Sequence, residues 1–319
     1  MHRFSMRRFV GLVAATTVLV GTVGAGAGAQ ENIRIGVTFP VLDQFLQTVE
    51  TGMQSKAAEI GGVELIVVSA EEDTTTQLGQ VENFIVDEVD AIVIIPVDTD
   101  AAGPMTEAAQ GANIPIVYVN RVPSDLPADG SVPYVGSDSL FAGTVEMEML
   151  AELAGNEGNV VILVGDPANE AAVQRTQGCK NVIDQHEGLV LTKEQSGNWR
   201  RDEGLAIMEN WIQSGDQIDI VCANNDEMAL GAIEALREND LLDSVIVGGV
   251  DATVDAIAAM DAGDLEVTVF QNADAQGGGG IQAAVELVNG EAVTGIQDNG
   301  WIDVPYEPVS PANVDDYRR

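Results

Sequence analysis

Short runs that are apolar on both faces recur along the chain, at 33–38, 63–68, 91–95, 114–119, 159–164, 218–223, 245–250 and 267–271. Such runs are predicted as buried strands of a parallel sheet, because a half-exposed antiparallel strand would alternate polar and apolar positions. Between them lie amphipathic stretches with helical period, at 45–60, 75–88, 101–112, 139–154, 169–185, 201–213, 227–239 and 253–262. Strand and helix in alternation predict doubly wound α/β sheets. Eight strands in 319 residues exceed one comfortable core. Pro, Asp and Gly accumulate without periodicity from 123 to 137, which predicts a break there. Two similar α/β lobes follow, and in open α/β sheets ligands bind beyond the carboxyl ends of the strands.

The first 29 residues stand apart from this pattern. Arg3, Arg7 and Arg8 form a positive leader, positions 9–25 are uncharged and mostly apolar, and Ala27, Gly28 and Ala29 supply a small-residue cleavage pattern. The apolar run is short and diluted by Gly and Thr, so it is predicted as an export signal rather than a membrane anchor. Arg7-Arg8 is only a weak match to a twin-arginine signal, and no cysteine follows to carry a lipid. Cleavage near Ala29 would leave a periplasmic chain.

Charge then narrows the partners. Removing the leader takes three arginines and no acid, leaving 51 acids against 11 bases, or −40. Such a surface repels nucleic acid and anionic lipid. The acids are dispersed rather than set at ligand spacing, so they are read as a solvated coat suited to a saline, halophilic habitat. No metal and no cofactor are expected.

Cys179 and Cys222 are the only cysteines. An oxidising compartment permits a bond between them, and two buried free thiols fit the sequence equally well. The only histidines are His2, in the leader, and His186. Serine-protease, papain-like and histidine-metal sites lack the imidazoles they need.

The turns after the strands carry planar hydrogen-bonding groups and rings: Asp43 and Phe45, Asn120-Arg121, Arg175 on the following helix, Asn198-Trp199, Asn224-Asn225-Asp226, Asp251 and Gln271-Asn272. Asp and Asn are ordinary helix N-caps, and Asp226 is expected to be one. Together, however, these types suit a sugar. Its hydroxyls both donate and accept, matching Asp, Asn, Gln and Arg, while Phe45 and Trp199 can pack on its C–H faces. Only eight arginines follow the leader, and two of them fall at these turns.

The stretch Asn224-Asn225-Asp226-Glu227-Met228-Ala229-Leu230-Gly231-Ala232 resembles the ribose-binding and galactose/glucose-binding periplasmic proteins. So do Arg34-Ile35-Gly36-Val37-Thr38, Ile114-Pro115-Ile116-Val117, Gly249-Val250-Asp251 and Thr268-Val269. The resemblance runs from about residue 33 to about 295. It implies a type I periplasmic binding protein whose two lobes are joined by a three-crossing hinge near Ser137, Gln271 and Asn299. The implied domains are a signal peptide at 1–29, an N-terminal lobe at 30–137 plus 272–298, and a C-terminal lobe at 138–271 plus 299–319. The implied ligand contacts are Asp43, Phe45, Asn120, Arg121, Arg175, Trp199, Asn225, Asp251 and Gln271, the same positions the strand ends select. Such a protein, acting as a monomer, hands a monosaccharide or polyol to the membrane permease of an ABC importer and catalyses nothing.

Two departures bear on the ligand. Where galactose/glucose relatives carry a histidine and an aspartate before the arginine, this chain has Asn169-Glu170-Ala171, and their calcium loop is absent. Asp43, Asn120 and Trp199 match the hexose relatives rather than the ribose ones. A neutral hexose or inositol-like cyclic polyol therefore ranks first, a pentose second and a sugar acid third, with a furanose signal molecule as a further alternative. A sugar-responsive repressor would need a DNA-binding segment and a basic surface. A secreted carbohydrate-active enzyme would need a nucleophile with a base, or paired acids.

Overall fold

The computed structural model describes residues 32–318 together with Met1. Apart from Met1, the expected signal peptide lies outside the described residues. The first half of the chain runs β1 (Ile33–Phe39), α1 (Gln44–Ile60), β2 (Val63–Ser69), α2 (Thr74–Val86), β3 (Ala91–Ile94), α3 (Gly103–Gly111), β4 (Ile116–Val119) and β5 (Tyr134–Gly136). It continues through α4 (Ser139–Leu153), β6 (Glu157–Val164), α5 (Glu170–Ile183), β7 (Gly188–Ser196), α6 (Arg201–Gln213), β8 (Ile220–Ala223) and α7 (Asp226–Glu238). Then come β9 (Ile246–Gly248), α8 (Val254–Ala262), β10 (Thr268–Phe270), α9 (Ala273–Val288), β11 (Trp301–Asp303) and β12 (Glu307–Val309).

Two parallel sheets define two lobes. The first has the order β11-β5-β4-β3-β1-β2 and the second β7-β6-β8-β9, while β12 pairs antiparallel with β10. Parallel bridges at Gly248 with Val267 and Asp251 with Phe270 lay β10 beside β9.

The strands are apolar on both faces because both faces are covered. In β4, Val117 and Val119 join Leu46, Val49 and Met53 of α1 and Ile281 of α9. Ile116 and Tyr118 point the other way, into a core with Val81 and Phe84 of α2 and Met105 of α3. The second sheet repeats the arrangement: Val221 and Ala223 of β8 face α6 and α7, and Ile220 and Cys222 face α4 and α5.

Three crossings join the lobes. The first runs from Gly136 of β5 to Ser139 of α4, and the second from Phe270 of β10 to Ala273 of α9. The third corrects the sequence-based boundary at Asn299. Trp301–Asp303 pairs with Tyr134–Gly136 in the first sheet, so the chain crosses only between Asp303 and Glu307. The expected break at 123–137 is likewise narrower, since β5 occupies its end.

α9 was not anticipated, because Gly277 to Gly280 are four consecutive poor helix formers. Packing accounts for them. A Cβ on Gly277 would lie 2.0 Å from the Val49 carbonyl oxygen, and one on Gly280 would lie 2.5 Å from a Val119 methyl. Only glycine lets α9 lie this close to α1 and the sheet. Cys179 of α5 and Cys222 of β8 form a disulfide, both fully buried, which resolves the alternative left open by sequence.

The acidic coat makes one prediction. With 51 acids repelling one another, added salt should stabilise the fold by screening, because the Debye length shrinks to about 3 Å at 1 M. The melting temperature should climb as salt rises from millimolar to molar. A flat or falling curve would remove the halophilic reading.

Candidate functional site

Every candidate turn leaves the carboxyl end of a strand. After β1, Asp43 caps α1, accepting from the Leu46 N–H at 2.8 Å, and Phe45 follows on the first helical turn. After β4 come Asn120 and Arg121. Arg175 lies on α5, Trp199 follows β7, Asn225 follows β8, Asp251 follows β9 and Gln271 follows β10. One cavity of about 380 Å³, its open mouth included, is lined by all nine of these residues together with Leu46 and Ala171. The first lobe contributes Asp43, Phe45, Leu46, Asn120 and Arg121, and the second contributes the others.

Backbone geometry at the cavity is unusual. Asn120, Trp199 and Asp251 have φ of 67°, 66° and 123°. Asn tolerates the left-handed region, but Trp and Asp at such values are costly conformations held by their surroundings. Asp251 is fixed by sheet-like bonds on both sides: its N–H donates to the Val269 carbonyl at 2.8 Å and its carbonyl accepts from Gln271 at 3.4 Å.

Arg175 is the more deeply enclosed of the two arginines in the site, 4% exposed against 8% for Arg121. One terminal nitrogen donates to the Asn224 carbonyl at 2.6 Å; the other donates to Gln271 Oε1 at 3.0 Å and to the Tyr306 hydroxyl at 2.7 Å. Asp251 stands 3.8 Å away, and the guanidinium lies 5.6 Å from the ring centres of both Trp199 and Tyr306. Its Nε and the Trp199 Nε1 are buried without a hydrogen-bond partner among the described residues. Two buried donors at a cavity wall suit a ligand rich in acceptors.

Burial works against the Arg175 charge, but Tyr306, Asp251 and Glu146 more than offset it and raise its pKa. Burial lowers the Arg121 pKa to about 10, with Asp43 and Asp166 opposing, and leaves it cationic at neutral pH. The carboxyls move the other way. Burial pushes Asp251 well above the usual range against the pull of Arg175. It raises Asp43 too, opposed by the Leu46 N–H and Arg121.

Asn120 connects the cavity to the hinge. Its Nδ2 donates to Gln276 Oε1 at 3.0 Å, and Gln276 Nε2 donates to the Ser137 hydroxyl at 2.9 Å. Ser137 in turn donates to the Val304 carbonyl. Groups at the first and third crossings are thereby linked, through the first turn of α9, to one cavity residue.

Asp226 corrects an expectation. The N-cap of α7 is Asn225, which accepts from the Met228 N–H at 3.1 Å and donates to the Trp199 carbonyl at 3.1 Å. Asp226, fully buried, instead accepts from the Thr253 N–H and the Thr268 hydroxyl at 2.8 and 2.7 Å, tying α7 to the turn after β9 and to the start of β10. Sequence reasoning also missed Tyr306, which reaches Arg175 from the third crossing.

A family model described as periplasmic binding protein domain matches residues 35–292. The chain belongs to the periplasmic binding protein family. Within this family it is 40% identical, over 98% of its length and 99% of the relative's, to a candidate rhizopine-binding protein of Rhizobium meliloti. It is 36% identical to a xylitol-binding protein of Mycolicibacterium smegmatis, covering 88% of this chain and 81% of that one. Among solved structures, an ABC transporter solute-binding protein of Bacillus halodurans with bound myo-inositol superposes with a TM-score of 0.85. That structure is 42% identical and covers 91% of this chain and 99% of its own. These relatives are binding proteins rather than enzymes.

Trp199 offers a direct optical test in this periplasmic binding protein. Of the other two tryptophans, Trp211 is buried in the second-lobe core and Trp301 packs edge-on against Tyr134 at 4.9 Å. A ligand-induced fluorescence change should survive Trp211→Phe and Trp301→Phe and vanish in Trp199→Phe. Trp199→Ala should weaken binding by about 1–3 kcal/mol. A lower melting temperature with unaltered affinity would make Trp199 a core residue instead.

Proposed function

We propose that this protein captures one neutral cyclic polyol, of the inositol type, or a neutral hexopyranose between its lobes and delivers it unchanged to the permease of an ABC importer. The observation that carries this is the convergence of Asp43, Phe45, Asn120, Arg121, Arg175, Trp199, Asn225, Asp251 and Gln271 on one cavity. Its lining alternates acceptors, donors and flat rings, the complement of a ring of hydroxyls around C–H faces. The bound myo-inositol in the 42% identical structure supports the cyclic polyol over the hexose.

Two features favour a neutral ligand over a sugar acid. Both terminal nitrogens of Arg175 are already donating to protein acceptors, so the fork is not open for a bidentate carboxylate. Asp43 and Asp251 line the cavity from opposite lobes, so an acid ligand would meet a carboxyl group on each side. The protein works as an exported monomer in the periplasm, the role for which the leader and acidic surface suit it.

A thermal-shift screen against myo-inositol, glucose, galactose, ribose, xylose, xylitol and galacturonate tests the ranking. A ligand at 1,000 times its dissociation constant stabilises by about 4 kcal/mol. The largest shift is expected with myo-inositol, with the compound recovered chemically intact. Tight ribose binding without inositol or hexose binding would overturn the ligand assignment, and turnover would overturn the receptor role.

A further inference from the structure

Two turns from different lobes bond directly to each other at the edge of the cavity. The Thr99 N–H donates to the Ala168 carbonyl at 3.0 Å, and the Thr99 hydroxyl donates to the same oxygen at 3.2 Å. That hydroxyl also accepts from the Glu170 N–H at 3.2 Å. In the other direction, Asn169 Nδ2 donates to the Val97 carbonyl at 3.1 Å. Thr99 is 4% exposed and Asn169 is fully buried.

The pattern has a specific meaning for α5. Asn169 occupies its N-cap position, yet makes no side-chain capping bond. Asn is among the best capping residues, and here its side chain reaches into the first lobe instead. The free N–H of Glu170, the first helical residue, is taken by Thr99. One of the orphan donors at the start of α5 is therefore satisfied by a residue of the opposite lobe. α5 is the helix that carries Arg175 and Ala171 into the cavity, and on the first-lobe side the neighbouring Pro96 carbonyl accepts from Arg121 at 3.1 Å. The latch thus abuts binding residues of both lobes, while Thr99 and Asn169 are not among the cavity-lining residues.

We propose that Thr99 and Asn169 are positioning residues: a latch that caps α5 across the interlobe cleft and sets how long the closed form holds its ligand. The proposal rests on the receptor reading above.

Separation of the lobes removes all four bonds, so losing the latch should act on release and leave encounter alone. Stopped-flow fluorescence from Trp199, with myo-inositol and xylitol as probes, would compare wild type with Thr99→Val/Asn169→Ala and with Thr99→Ser. The double variant should release both probes roughly ten- to a hundred-fold faster, by the same factor for each. Association rates and the ligand-free melting temperature should stay near wild type, and Thr99→Ser, which keeps the hydroxyl, should behave as wild type. Unchanged release, or factors that differ between probes, would overturn the latch. Failure of every probe to bind wild type would count against the ligand assignment alone. The release comparison would then be run with whichever compound gives the largest thermal shift in the screen above: ten- to a hundred-fold faster release from the double variant supports the latch, and unchanged release refutes it.

Discussion

Arg175→Met should abolish tight ligand binding and leave a folded but less stable protein. The arginine holds together three acceptors from separate parts of the second lobe and the third crossing: the Asn224 carbonyl, Gln271 and Tyr306. Methionine fills similar volume and supplies none of those donors. Gln271 and Asp251 also line the cavity, so their positions loosen together with the lost guanidinium. Truncating a buried residue at the centre of a binding site costs about 2–4 kcal/mol of binding, roughly thirty- to a thousand-fold. Arg175→Lys should rescue little, because a single ammonium cannot replace a planar fork that meets three acceptors. Calorimetry with myo-inositol measures the loss, and a thermal melt separates it from unfolding. Near-wild-type affinity in a destabilised variant would make Arg175 a structural brace alone.

Replacing both cysteines, as Cys179→Ala/Cys222→Ala, should produce the largest loss of stability from any pair of changes outside the cavity. The bond spans 43 residues, and closing a loop of that length restricts the unfolded chain by about 4 kcal/mol in the chain-entropy account. For a chain of this size that corresponds to a fall in melting temperature on the order of 10 °C. Removing both sulfurs is the cleaner test, since a single substitution would leave a free thiol beside Glu146. That fully buried carboxyl accepts from the Ala223 N–H at 3.0 Å, and burial raises its pKa well above the usual range. Affinity should fall less than stability, because the cavity groups are placed mainly by their own hydrogen bonds. An unchanged melting temperature would mean that the bond does not contribute in solution.

Much of this was legible in the sequence because the physics is local. Strands such as β3 and β4, fully buried by helices on both faces, leave a continuous apolar signature. The cavity was legible because the strand-end rule says where to look, and the residue types there say what to look for. What escaped depended on tertiary context. β7 is an edge strand with alternating exposed positions such as Val190 and Glu194, so it lacks the apolar run of its neighbours. β5, β11 and β12 are three residues each, too short to show a period. Missing β11 displaced the third crossing to Asn299 and hid Tyr306, whose scarcity as one of four tyrosines was the one available hint. The cap at Asn225 rather than Asp226 turns on a single residue of register, which composition does not specify.

The most direct test of the central claim is a crystal structure of the protein grown with the tightest ligand from the screen. One molecule should lie between the lobes, with hydroxyls within hydrogen-bond distance of Asp43, Asn120 or Arg121 on one side and of Arg175, Asn225, Asp251 or Gln271 on the other. A ligand bound to one lobe alone, or seated away from these residues, would contradict the account.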